Sequence, residues 1–137
     1  MGRALILMMV VALACGCAGA APDGRVAPAA GPAPIADQEP DVTAQVSDIL
    51  AQYVAGSLTP ERYTERAGAA LLPDQAAQTA ARLRAFGELD KLELLARSTD
   101  GEDRLYRYRA RYRQGGAVVD ITFSKGGRIA RLAVRPE

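Results

Sequence analysis

Arg104-Leu105-Tyr106-Arg107-Tyr108-Arg109-Ala110-Arg111-Tyr112-Arg113-Gln114 alternates between two kinds of residue along its whole length. Tyr106, Tyr108, Ala110 and Tyr112 fall on one parity; Leu105, Arg107, Arg109, Arg111 and Arg113 fall on the other. A period of two is that of a β-strand, whose successive side chains point to opposite faces. One face is aromatic and one is cationic, so the strand belongs to an antiparallel sheet packed on one side and wet on the other. The arginines then stand about 6.6 Å apart, at ~3.3 Å rise per residue.

The same period extends outward in both directions. Upstream, Leu92, Leu94 and Ala96 alternate with Lys91, Glu93 and Arg97, and Asp100-Gly101-Glu102-Asp103 reads as the hairpin turn between the two strands. Downstream, Gly115-Gly116 turns the chain, and Ala117, Val119, Ile121 and Phe123 alternate with Val118, Asp120 and Thr122. Lys125-Gly126-Gly127 makes a further turn, and Ile129 to Arg135 forms a last strand. Four strands in an antiparallel meander are predicted.

Before Gly87 the period lengthens to about 3.6 residues, that of a helix. Val42, Val46, Ile49, Leu50, Tyr53 and Val54 form one apolar stripe, with Asp41 as N-cap and Gly56 as stop. A second helix is expected to start at Thr59 as cap, with Pro60 in its first position, and to run to about Ala70. A third starts at Pro73-Asp74, places Ala76, Ala80, Leu83 and Phe86 on one face, and ends at Gly87. Three helices followed by four strands define an α+β domain, with the helices on one face of the sheet.

The order of elements and the phrase Leu58-Thr59-Pro60-Glu61-Arg62-Tyr63 resemble a bacterial module. Gly87-Glu88-Leu89, Leu105-Tyr106-Arg107-Tyr108 and Leu132-Ala133-Val134-Arg135-Pro136 add to the resemblance, which covers roughly residues 41 to 137. The module is the small domain that often follows serine β-lactamase-like hydrolase domains, in the nuclear-transport-factor-like (cystatin-like) superfamily. The resemblance implies a curved four-strand sheet wrapping a long helix into a cone. Some members of the superfamily are enzymes; many bind a ligand or dimerise through the sheet. The hydrolase domain itself has no counterpart here.

The N-terminus carries an address. Arg3 precedes an apolar run from Ala4 to Ala14, followed by Cys15-Gly16-Cys17. One positive charge, a short apolar core and a small-residue exit describe a signal peptide over residues 1–16. The run is too short to span a bilayer, which takes ~20 apolar residues. A cysteine directly after small residues resembles the lipobox of bacterial lipoproteins, with Cys17 or alternatively Cys15 carrying the lipid. Ordinary cleavage after Ala18-Gly19-Ala20 is the other reading, giving a soluble periplasmic or secreted chain. Residues 17–40 hold five of the eight prolines among Ala and Gly and read as a disordered tether, leaving residues 41–137 as the domain.

Composition narrows the chemistry. The chain has no His, which removes the commonest general base and the commonest metal ligand together. The usual zinc sites and Ser-His or Cys-His nucleophile systems are excluded, and no cofactor or metal site is expected. Cys15 and Cys17 are the only cysteines, so the domain holds no internal disulfide. Net charge is +1, yet residues 37–103 hold thirteen acids against six bases and residues 104–137 nine bases against two acids. Such a split suits an anionic partner, self-association, or layers that neutralise each other.

Two constellations stand out. Arg107, Arg109, Arg111 and Arg113, joined by Arg131 and Arg135 from the last strand, form either a solvated face partnered by Asp120, Glu93 and the helical acids, or a surface that binds phosphate through planar guanidinium groups. Tyr106, Tyr108 and Tyr112 form either plain core or, with Tyr53, the lining of a pocket in the cone. By alternation Asp90 shares the face of Leu92 and Leu94, where it would stand at the mouth of that pocket as a general base. The expected role is a non-enzymatic interaction or accessory module of the bacterial cell envelope. Its expected partners are the membrane through N-terminal lipid, a second copy through the sheet face, and an envelope protein or anionic surface ligand. Nucleic acid is not expected, because the tyrosines point away from the arginines and offer no stacking platform.

Overall fold

A computed structural model of the chain describes residues 31–71 and 73–137. The signal peptide and the cysteines Cys15 and Cys17 lie outside the described residues. The elements are α1 (Pro40–Ala55), α2 (Glu65–Ala70), α3 (Pro73–Ala85), β1 (Leu89–Asp100), β2 (Asp103–Tyr112), β3 (Gly115–Phe123) and β4 (Ile129–Pro136). The strands pair antiparallel in the order β1-β2-β3-β4. The fold is α+β, three helices followed by a four-strand antiparallel meander, as the change of period predicts.

The core lies between the helices and one face of the sheet. Val46, Ile49, Leu50 and Tyr53 of α1 and Ala80 and Leu83 of α3 meet Tyr106, Tyr108 and Ala110 of β2 and Val119, Ile121 and Phe123 of β3. Burial of these side chains contributes roughly 1.5–3 kcal/mol for each large one, which makes this layer the main source of stability. α1 ends at Gly56, whose φ of 71° is the left-handed conformation glycine adopts without a Cβ penalty. The Gly56 and Ser57 amides then donate to the Tyr53 and Gln52 carbonyls.

Four local expectations are corrected. α1 starts at Pro40 rather than after an Asp41 cap, because Pro40 suits the first helical position and Glu39 occupies the cap without a side-chain bond. Asp41 sits instead in the first turn, where it complements the helix dipole. The second helix does not run unbroken from Pro60. A single 3-10 turn at Pro60–Arg62 ends where Tyr63 makes a parallel bridge to Ile129, and the Thr64 amide donates to the Ile129 carbonyl at 2.9 Å. Thr64 then caps α2 by accepting from the Ala67 amide at 3.2 Å. Tyr63 is buried, so anchoring it in the core outweighs continuing the helix.

β1 does not alternate evenly either. Its pairing with β2 shifts between Leu89 and Lys91 and again between Leu94 and Ala96. Each bulge adds one residue and reverses parity beyond it. Ala96 therefore pairs with Arg107 on the outer face rather than sharing the inner face with Leu94. Asp90 is the extra residue of the first bulge and is exposed. Finally, the compact unit spans Gly31–Glu137, so the last part of the expected tether belongs to it. Ile35 donates a backbone hydrogen bond to the Leu94 carbonyl at 2.8 Å, and Glu39 reaches Tyr106 and Arg97 at 2.9 Å each.

Candidate functional site

The inner face of β2 carries the tyrosines. Tyr108 is fully buried, and its ring lies 6.2 Å from that of Tyr106 with an interplanar angle of 18°. Thr43 donates its hydroxyl proton to Asp37 at 2.7 Å, so the 3.1 Å contact between Thr43 and Tyr108 is donated by the tyrosine. Tyr106 donates to the Glu39 carboxylate at 2.9 Å. Burial pushes the Tyr108 and Tyr112 hydroxyls above the ordinary tyrosine range; for Tyr106, burial acts first and the bond to Glu39 adds to it. These rings are core; Tyr106 and Tyr108 are tied at their tips to Glu39 before α1 and to Thr43 in its first turn, while the Tyr112 hydroxyl is buried without a partner among the described residues.

The expected pocket does not assemble around them. Tyr112, with Leu50, Val54 and Leu89, lines an open hollow of about 290 Å³ beside α1. Tyr53 lines a different one of about 340 Å³, with Leu58, Ala76 and Ala80. Asp90 lines neither, because the bulge turns it to solvent. A general base needs a desolvated carboxylate within reach of the reacting group, and Asp90 has no such setting.

The outer face is different in kind. Four strands present Ala96, Ser98, Leu105, Arg107, Asp120, Thr122, Arg131 and Arg135 around an open hollow of about 360 Å³. Its floor follows from register. Ala96, Arg107, Asp120 and Ala133 lie in one row across the sheet, and Ser98, Leu105, Thr122 and Arg131 lie in the next. Small residues at both ends of the first row leave the space open. Asp120 is the hub: it accepts from Arg107 Nε at 2.6 Å and is closely paired with Arg135 Nη2. Among the described residues Arg131 makes no ion pair.

The remaining arginines are spoken for individually. Arg111 pairs with Glu93 at 2.8 Å, and Lys91 joins the same carboxylate at 3.0 Å. Hydrogen bonds from Arg111 and then Lys91 hold Glu93 below the usual carboxylate range. Arg113 does not continue the row of Arg107, Arg109 and Arg111; it lies just past the end of β2 and pairs with Glu88 at 2.6 Å. Arg109 packs against Gly31, where a Cβ would overlap its guanidinium. Pairs across the charge split of the sequence form along the sheet and its turns, by Glu93–Arg111, Glu88–Arg113 and Glu102–Lys125, and from the N-cap of α1 to β2, by Glu39–Arg104 at 3.9 Å.

Asp120 and Glu93 are the partners that alternation predicts for the arginines. Sequence reasoning misses Glu39, Asp37 and Thr43, which the Pro-rich composition around them conceals. It also misses Ser98, because the second bulge sets its face. No helix among the described residues is long and apolar enough to cross a membrane. No protein-family model matches the chain, and no curated protein and no solved structure matches it significantly.

Proposed function

We propose that this chain is a non-enzymatic module exported to the bacterial cell envelope, anchored by lipid on Cys17 or Cys15, that acts by contact through the outer face of its sheet. The observation that carries this reading is that face itself. The helices pack against the opposite side, and the outer face bears the open hollow centred on Asp120. The signal-peptide and lipobox pattern supports the address, and the element order supports kinship with the nuclear-transport-factor-like (cystatin-like) superfamily. The Asp90 position, turned to solvent, gives no support to acid–base chemistry.

A photo-crosslinking amino acid at Thr122 of the full chain, expressed in a bacterial host, tests it. The chain should fractionate with membranes at the mass of a lipidated cysteine terminus. Thr122 should yield a discrete adduct, either of two copies or with another envelope component. The same probe at Gln78, exposed on α3, should not. A soluble, lipid-free chain with no adduct from Thr122 would refute both halves.

A further inference from the structure

The hollow on the outer face holds more positive charge than it neutralises. Among the described residues Arg107, Arg131 and Arg135 line it against a single carboxylate, Asp120. Two of these guanidinium groups are engaged by only part of their donor sets. Arg107 uses Nε toward Asp120 Oδ1, which leaves both of its Nη groups; Arg135 uses Nη2 toward Oδ2, which leaves Nε and Nη1. An arginine offers five N–H donors in a fixed fork and cannot lose its charge at physiological pH. Arg131 is uncommitted among the described residues, and the hydroxyls of Ser98 and Thr122 stand on the same wall.

We propose that this hollow binds the phosphomonoester group of an anionic ligand, with Arg131 as the principal contact and Arg107 and Arg135 completing it. The charge count selects the class. Three cations against one anion leave an excess of two, and a phosphomonoester carries roughly −1.5 to −2 at pH 7. A carboxylate or a phosphodiester, with one negative charge, leaves the site unbalanced. Asp120 has a defined part in the arrangement: it holds two long side chains in place before the ligand arrives, which lowers the ordering cost of binding. It also repels the ligand, so it sets a ceiling on affinity. The small side chains of Ala96 and Ser98 leave room for the group to approach the sheet.

The inference rests on the outer face being the working surface. Its chemistry is shared by two sources, a soluble phosphate ester and a lipid headgroup, which two probes separate. Calorimetric titration of the full chain in mild detergent with methyl phosphate gives the first. Flotation with phosphatidylcholine vesicles, with and without phosphatidic acid, gives the second. Binding to either probe is expected. Arg131→Gln should weaken it about ten- to a hundredfold, the loss of one charge-assisted contact. Asp120→Asn should strengthen it several-fold, because it removes the repulsion and frees two guanidinium groups. Vesicle binding without methyl phosphate binding identifies a lipid headgroup, and the converse a soluble ester; both support the site.

The inference is overturned if wild type and Asp120→Asn bind neither probe, or if Arg131→Gln binds as wild type does. Arg131 is exposed and among the described residues makes no ion pair, so its variant keeps the fold, which circular dichroism checks. Thr122 adducts without phosphate binding would sink this inference and leave the contact reading standing. Phosphate binding without adducts or a membrane anchor would do the reverse.

Discussion

Gly115→Ala should destabilise the domain, and its neighbour Gly116→Ala should not. An ideal Cβ at Gly115 would lie 2.5 Å from Phe86 Cδ1, 2.6 Å from Cγ and 2.7 Å from Cε1, against the flat of the ring rather than a flexible tip. The backbone that carries the ring is fixed. The Phe86 amide donates to the Arg82 and Leu83 carbonyls at the end of α3, its carbonyl accepts from the Gln114 amide at 2.9 Å, and its ring centroid lies 6.2 Å from that of Tyr112. Forcing a methyl into such a contact costs about 1–3 kcal/mol. At Gly116 the nearest atom is Glu137 Oε2 at 3.2 Å, the free end of a carboxylate that can swing aside. That variant should fall within ~0.5 kcal/mol of wild type. Urea unfolding followed by circular dichroism reads both as shifts in midpoint at constant slope. Phe86→Ala supplies the decisive background: with the ring removed, Gly115→Ala should cost little, because the penalty is a pairwise term. Equal stability of Gly115→Ala and wild type, or a penalty that persists without the Phe86 ring, would refute the argument.

Two further outcomes follow from the tyrosines and their ties. Burial raises Tyr63, Tyr108 and Tyr112, and burial with the bond to Glu39 raises Tyr106. A raised native pKa means that the contribution is intact below the unfolded value of about 10 and is lost as pH climbs through the native value. Phenolate absorbance for these four should therefore appear together with loss of the far-ultraviolet signal; smooth titration at the free-tyrosine midpoint in a folded chain would contradict their burial. Glu39→Gln removes a carboxylate that pairs with Arg97 at 2.9 Å and Arg104 at 3.9 Å, while the Tyr106 bond can re-form to the amide oxygen. Thermolysin should then nick the chain at Ile35 several-fold faster, reflecting ~1–2 kcal/mol less local protection. An unchanged rate would show that Glu39 does not hold this segment.

The legible part of the fold was the part governed by a single period. Tyr106-Arg107-Tyr108 reports both faces of β2 at once, and the stripe Val46, Ile49, Leu50, Tyr53 reports the buried face of α1. What failed was wherever a tertiary contact overrode local preference. Thr59-Pro60-Glu61 has every mark of a helix start, yet burial of Tyr63 against Ile129 interrupts it after one turn. The second bulge in β1 is invisible to alternation because Leu94 and Leu95 are both apolar and both buried, so nothing in the pattern marks which is extra. That one irregularity moves Ala96 and Ser98 to the outer face and so helps to make the hollow. Asp90 is the extra residue of the first bulge, where Asp90 and Lys91 are both polar and both exposed, so alternation does not mark the irregularity there either. A candidate site argued from parity is only as secure as the strand's regularity up to that residue.

The edges of the sheet bear on how such a domain can make contact. A free edge strand is a template for pairing with another chain. Here β1 is an edge, and the segment from Gly31 to Glu39 runs along it: Gly31 lies against Arg109 on the outer face, Ile35 bonds the Leu94 carbonyl, and Glu39 reaches Tyr106 on the inner face. The segment thus passes around the strand at its bulge, where Leu95 is buried although it lies outside the main core cluster. The opposite edge is covered at its start by the Tyr63 bridge and the Thr64 amide on Ile129, and it carries Arg131, Arg135 and Pro136 further along. Strand addition is thereby opposed at both edges. The outer face, with its hollow and with Arg131 making no ion pair among the described residues, is left as the surface for a partner or ligand, which is why the proposed contact is placed on the face.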